Sequence, residues 1–301
     1  MKSRLSLSAS APQINADLRT AVAEARLLRL TGLELPLVST QLDLLSLSGS
    51  GRREVVHLMG SHGIVLSGIR IELGGAGLGP RTDVDRLLDR LEKVLNVAAG
   101  MHCPVVNIDL GRLPPVQRTS APKPAVTPDM AGLLILPAAA PQEPEPESTP
   151  TKIDPAVTAH WQQALSQLGE MADRYGAMIG FSSSLSSFAS LVSLLRSVQC
   201  LWFGVELDTA AVLRDEWTME AVFDELAPMI RSVRARDAVV GDDRRTKPAI
   251  IGRGDLPWRT LLEHLDASDY TGAFTLDAGE LTDPKAGVIA GIKQINAIIA
   301  S

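Results

Sequence analysis

Ile230-Arg231-Ser232-Val233-Arg234-Ala235-Arg236-Asp237 decides how this chain is read, together with Gly252-Arg253-Gly254-Asp255-Leu256-Pro257-Trp258, which closes the same stretch. Apolar Val233 and Ala235 alternate with Arg234 and Arg236. Successive side chains of a strand point to opposite faces, so a strand over 230–237 offers an apolar face to packed helices and two arginines to the other side. If that other side is the lumen of a barrel, the arginines line a cavity.

The rest of the chain tests this by its rhythm. Upstream, strand-like runs over 5–8, 32–36, 64–73 and 105–111 alternate with helical periodicity over 15–30, 52–59 and 84–99, and Asn15 is the expected cap of the first helix. The alternation resumes with a helix over 161–174, strands over 177–182 and 201–208, and helices over 188–198 and 219–226. Past the opening stretch come a helix over 258–265, a strand over 272–277 and a helix over 286–300. Strand and helix in turn build a parallel sheet from βαβ units, and about eight such pairs close a (β/α)8 TIM barrel. Residues 114–154, rich in Pro, Ala and Glu, interrupt the pattern after strand four. They cannot hold a helix or a central strand and read as a flexible insertion within one domain spanning 1–301, a disordered loop with one sticky apolar island, Gly132-Leu133-Leu134-Ile135-Leu136, the alternative being a lid that docks through that island.

Parity assigns the faces. Leu33 and Leu35, Ile69 and Ile71, Val106 and Ile108, Ile179 and Phe181, Phe203 and Val205, Val233 and Ala235, and Phe274 and Leu276 face the helices. The other parity carries Ser6, Ser8, Glu34, Arg70, Glu72, Asn107, Asp109, Ser182, Glu206, Asp208, Arg234, Arg236, Thr275 and Asp277. Barrel interiors are usually filled by branched apolar residues, and unpartnered buried charges cost several kcal/mol each. This lumen therefore reads as concave, polar and internally paired, with a site for a polar small molecule at the C-terminal ends of the strands. A plain ion-pair network, with Arg70, Arg234 and Arg236 neutralising Glu72, Glu206, Asp208 and Asp277, is the competing reading.

Composition narrows the partners. A net charge of −6 with pI near 5.4 argues against nucleic acid. Cys103 and Cys200 flank apolar runs and read as free thiols. No signal-like or membrane-length apolar run occurs, so a cytoplasmic protein without a membrane partner is expected. The glycine-rich run 74–79 lacks the Lys and Ser/Thr of a phosphate loop and reads as a turn.

On Leu30-Thr31-Gly32-Leu33-Glu34-Leu35, Ile108-Asp109-Leu110-Gly111, Gly204-Val205-Glu206-Leu207-Asp208, Val233-Arg234-Ala235-Arg236-Asp237, Ile251 to Trp258, and Tyr270 to Asp277, the chain resembles the xylose isomerase-like TIM barrels, the sugar phosphate isomerase/epimerase group that also contains endonuclease IV. The resemblance implies a divalent metal held by Glu, Asp, His and Glu at the ends of strands five to eight. Here those positions fall on Ser182, Asp208, Arg234 and Asp277. Only the Asp is kept, and an arginine stands where a neutral imidazole would coordinate. All five histidines, His57, His62, His102, His160 and His264, fall on helices or their flanks.

The resulting expectation is a sugar (phosphate) isomerase/epimerase-like protein that acts on or binds a small polyhydroxylated, conceivably anionic, molecule. Proton transfer would fall to Glu206, Asp208 and Asp277, and substrate binding to Glu34, Arg70, Asp109, Arg234, Arg236 and Arg253, since a guanidinium fork suits carboxylate or phosphate. No cofactor is expected; Mn or Mg would bind only if Asp208 and Asp277 recruited other ligands. The alternative is a non-catalytic carbohydrate-binding relative that has lost the metal site.

Overall fold

The computed structural model describes residues 5–114, 154–241 and 245–300. Eight parallel strands close a barrel: β1 (Ser6–Ser10), β2 (Gly32–Pro36), β3 (Val65–Glu72), β4 (Val106–Asp109), β5 (Ile179–Ser182), β6 (Phe203–Asp208), β7 (Ile230–Ala235) and β10 (Ala273–Leu276). Each pairs with its sequence neighbours in the ring, β7 with β10, and β10 closes onto β1. The fold is a single (β/α)8 TIM barrel.

The helices are α1 (Ala11–Ile14), α2 (Leu18–Leu27), α3 (Gly49–Ser61), α4 (Val84–Gly100), α5 (Pro155–Tyr175), α6 (Phe188–Val198), α7 (Thr209–Arg214), α8 (Met219–Leu226), α9 (Trp258–Ala267) and α10 (Pro284–Ala300). Side-chain oxygens cap several of them: Asp83, Asp154, Ser187 and Thr218 each accept a bond from a backbone N–H of the first turn, satisfying donors that have no partner within the helix. The first helix corrects the sequence reading. Asn15 ends the short α1, and Asp17 caps α2, its carboxylate accepting from the Thr20 amide at 2.9 Å.

The apolar parity set forms the layer between sheet and helices. Leu33, Ile69, Ile108, Ile179, Phe181, Val205, Val233, Ala235, Phe274 and Leu276 are fully enclosed in one continuous core with helix residues such as Leu91, Val94, Leu165, Leu168, Leu261 and Leu262. Burying each large side chain stabilises the fold by roughly 1.5–3 kcal/mol. This layer fixes strand register, because a slip by one residue would turn the charged parity toward the helices.

Two features depart from expectation. The strand read over 230–237 stops at Ala235, and Asp237 opens an antiparallel hairpin of β8 (Asp237–Val240) and β9 (Thr246–Ala249) that stands outside the barrel. Residues 115–153, with the 132–136 island, lie outside the described residues; the segment enters between β4 and α5.

Candidate functional site

The polar parity folds into two groups stacked along the barrel. The deeper one is centred on Arg70. Its Nε donates to Glu34 Oε2 at 2.8 Å, its Nη1 to Glu206 Oε2 at 3.1 Å, and its Nη2 to both carboxylates. Asn107 Nδ2 donates to Glu34 Oε1 at 2.8 Å, Ser232 Oγ to Asn107 Oδ1 at 2.7 Å, and Ser182 Oγ to Glu206 Oε2 at 2.8 Å. Six side chains from six strands thus tie the lumen together. Glu34 and Glu206 are each 1% exposed and Arg70 9%. Gly180 of β5 makes the space: a Cβ there would come within 2.7 Å of Asn107 Oδ1. Burial, with Glu34 alongside, pushes the Glu206 carboxyl above the ordinary carboxylate range against the pull of Arg70.

The outer group lies at the C-terminal mouth. Arg234 Nε donates to Asp277 Oδ2, and Asp277 Oδ1 accepts from Gln13 Nε2 and from the Gly279 amide. Arg236 donates through Nε and Nη2 to the two oxygens of Asp208 and through Nη1 to Glu280. The sheet sets this up: in β7, Arg234 lies opposite Asp208 of β6 and Thr275 of β10. Burial alone would raise the Asp208 carboxyl, but Arg236, with Arg234 behind it, holds it below its usual value. Asp277 is held well below it by Arg234, the Gly279 amide and Gln13, which outweigh burial.

Above this group opens a cavity of about 250 Å³ lined by Glu72, Asp109, Ser184, Arg234, Arg236 and Glu280 together with backbone of Gly74, Gly75 and Gly111. A neighbouring cavity of about 190 Å³ continues past Arg236 and Asp277 to the hairpin, where Thr246, Pro248 and Ala249 form its wall. Asp109 faces the first cavity while accepting from the amides of Gly111 and Ser184. A separate concavity of about 270 Å³ lies outside the barrel among α2, α3 and the 39–47 loop and contains none of the proton-transfer or substrate-binding candidates read from the sequence.

The structure therefore brings Asp208, Asp277, Arg234, Arg236 and Asp109 to the mouth. It sets Glu34, Arg70 and Glu206 below it, engaged with one another. Arg253 is exposed on the loop before α9 and lines neither mouth cavity. Asp237, adjoining Arg236, pairs with no cation among the described residues: its carboxylate accepts from the amides of Ala238, Gly252, Gly254 and Leu256 and from the Trp258 indole at 2.9 Å. A Cβ on Gly254 would lie 2.2 Å from Asp237 Oδ1, which explains the glycine. This one buried carboxylate fixes both the hairpin and the 252–258 loop. Sequence reasoning missed Gln13, in the one-turn α1, and Glu280, in a turn, neither marked by periodicity, and Ser232, which the parity rule would have found two residues before Arg234.

The divalent metal implied by the family pattern does not fit this arrangement. Of the carboxylates at the mouth, Asp208, Asp277 and Glu280 already accept from a guanidinium and Asp109 from two backbone amides, which leaves Glu72, and a fixed cation repels another within the same shell. Among the described residues no three His, Cys, Asp or Glu side chains converge as a ligand set.

Several solved structures share the whole architecture. A xylose isomerase domain protein from Planctomyces limnophilus superposes with a TM-score of 0.71 at 14% identity, covering 97% of this chain and 95% of the other. The probable 3-DHS dehydratase AsbF from Bacillus anthracis gives 0.71 at 11% identity, covering 97% and 99%. A D-psicose 3-epimerase structure in the presence of D-fructose gives 0.64 at 14%, covering 98% and 97%. At these identities the likeness establishes the fold, and among curated proteins none matches the chain. The family model for xylose isomerase-like TIM barrels matches residues 22–298, most of the chain, and the protein belongs to that family.

Proposed function

We propose that this protein binds a small, uncharged polyhydroxylated molecule at the C-terminal mouth of the barrel, through side chains alone and without a resident divalent metal. The observation that carries this reading is that Asp208 and Asp277 are each committed to an arginine at the wall of the cavity. Paired guanidiniums and carboxylates offer donors and acceptors in alternation, which suits vicinal hydroxyls. They suit a phosphate poorly. Glu72, Asp109, Asp208, Asp277 and Glu280 face or back the mouth, whose two cavities are lined by the guanidiniums of Arg234, Arg236 and Arg214, the last already paired with Asp215, so an anion would have to displace a carboxylate from its arginine in a field still negative.

A second reading, isomerase or epimerase chemistry, draws support from Asp277, which lines the second cavity, from Asp208, which backs Arg236 at the wall of both, and from relatives such as the D-psicose 3-epimerase. It asks Asp208 or Asp277 to act as base while its guanidinium holds it ionised, and a depressed pKa makes a weak base. Saturation-transfer NMR against a panel of ketoses, aldoses, cyclitols and their phosphates tests the first reading. Binding of the neutral sugars, weakened at least about tenfold in Arg236→Ala, is expected; a preference for phosphates would overturn it. Incubation of the bound sugar in D2O separates the second reading, which requires deuterium to enter at the carbon beside the carbonyl.

A further inference from the structure

We infer that Arg234 and Arg236 are the chain's internal replacement for a divalent cation: together they pair with Asp208, Asp277 and Glu280 and present their remaining N–H groups to the cavity, and their presence is what keeps a metal from binding. The inference deepens the metal-free reading of this mouth and rests on it.

Three carboxylates, from β6, the turn after β10 and the following loop, each accept from one of two guanidiniums, Asp277 from Arg234 and Asp208 and Glu280 from Arg236. Without those cations the three would stand as uncompensated like charges in a partly enclosed cavity, a state that either takes up protons or recruits a cation. The arginines are not loosely tethered. Arg236 is anchored at its backbone, where its amide donates to Thr209 Oγ1 at 2.8 Å, and at its side chain by both oxygens of Asp208. Arg234 is held in register between Asp208 and Thr275. Each guanidinium side chain is 14% exposed, enough to touch a ligand in the cavity both of them line. A guanidinium carries five N–H donors in a plane. Arg234 uses its Nε and Arg236 its Nε, Nη1 and Nη2 on carboxylates, so the terminal N–H groups of Arg234 above all remain to polarise ligand oxygens. That is the electrostatic service a metal would give, fixed covalently in the chain.

The test removes the cations and asks whether a metal takes their place. Mn2+ titrations followed by the electron paramagnetic resonance of free Mn2+ would compare the full-length wild type, the Arg234→Ala/Arg236→Ala double variant and the Arg234→Lys/Arg236→Lys double variant, each checked for folding by circular dichroism. The alanine variant should bind one Mn2+ at least about a hundredfold more tightly than wild type, and its melting temperature should rise on adding Mn2+. The lysine variant, which keeps the charges, should behave as wild type. If the double alanine variant does not fold, Arg234→Ala alone is titrated in its place. Tight stoichiometric Mn2+ binding by wild type, or a folded alanine variant with no gain in Mn2+ affinity, overturns the inference. Neutral-sugar binding is read separately: wild type that binds sugar and also Mn2+ sinks the arginine replacement alone, whereas wild type that binds neither sinks the ligand reading alone.

Discussion

The two ion-pair groups in the barrel use the same residue types to opposite ends. In the deep group two carboxylates share one guanidinium, and every member is enclosed, so Glu206 is driven toward its protonated form. In the mouth group two guanidiniums serve Asp208, Asp277 and Glu280, the carboxyls of Asp208 and Asp277 are held ionised, and the arginines keep a solvent-facing edge. Full enclosure produces a structural girder. Pairing with a free edge produces a surface that a ligand can use. The difference lies in where along each strand the polar residue falls, since Glu34, Asn107, Glu206 and Ser232 sit one layer below Asp109, Asp208 and Arg234.

The largest effect should come from breaking the deep group. Arg70→Ala leaves Glu34 and Glu206 buried without a counter-charge, which costs about 3–5 kcal/mol. Urea denaturation should show this as a drop in midpoint at an unchanged slope. Replacing the whole set, Arg70→Met with Glu34→Gln and Glu206→Gln, should recover much of the loss, because a buried ion pair contributes little beyond a well-packed neutral set. If Arg70→Ala unfolds at the wild-type midpoint, the lumen is not the girder described.

Acidity should split the two groups by sign. Asp277 has its folded pKa depressed, so its contribution is complete above the unfolded value of about 3.9 and is lost as pH falls through the folded value. The stability gap between wild type and Asp277→Asn should therefore be widest near neutrality and close on the acid side, below about pH 4. Glu206 has its folded pKa raised, so its contribution is complete below the unfolded value of about 4.3 and is lost as pH rises through the folded value. Glu206→Gln should thus gain on wild type as pH climbs from about 4 toward neutrality. Thermal melts of the two variants from about pH 2 to neutrality would give slopes of opposite sign, that of Asp277→Asn below about pH 4 and that of Glu206→Gln above it. Slopes of the same sign would mean that the two groups are not distinct.

How much of this was legible beforehand follows from periodicity. The barrel was readable because Leu33, Ile69, Ile108, Val205, Val233 and Phe274 recur at period 2 with helical stretches between them, and the polar lumen followed from the complementary positions. Layering along the barrel was not readable. Nothing in Glu206 or Asp208 says which is sealed and which is at the rim; that depends on the register shifts between β2 and β3 and between β6 and β7, which no sequence pattern marks. The arginines read as ligand groups, but Glu280, which accepts from Arg236, comes from an irregular turn, and Gln13, which donates to Asp277, from the one-turn α1 at the other end of the chain. Asp237 looked like one more strand-end charge. Its five N–H donors come largely from backbone amides of a loop, which composition does not reveal.

The smallest expected effect is at Glu280, and it sharpens the contrast most finely. Its side chain is 58% exposed although it accepts from the well-enclosed Arg236. An exposed partner contributes about 0–1 kcal/mol, since water and salt screen the pair. Glu280→Gln should therefore leave the melting temperature nearly unchanged. It frees Arg236 Nη1, however, at the wall shared by both mouth cavities. Removing one of the carboxylates that make the mouth acidic should shift ligand preference toward phosphorylated sugars, by up to about tenfold, without weakening neutral ones. A variant that loses stability as Arg70→Ala does would show that Glu280 belongs to the girder and not to the surface. A variant with unchanged stability and unchanged preference would show that the mouth's charge balance does not choose the ligand.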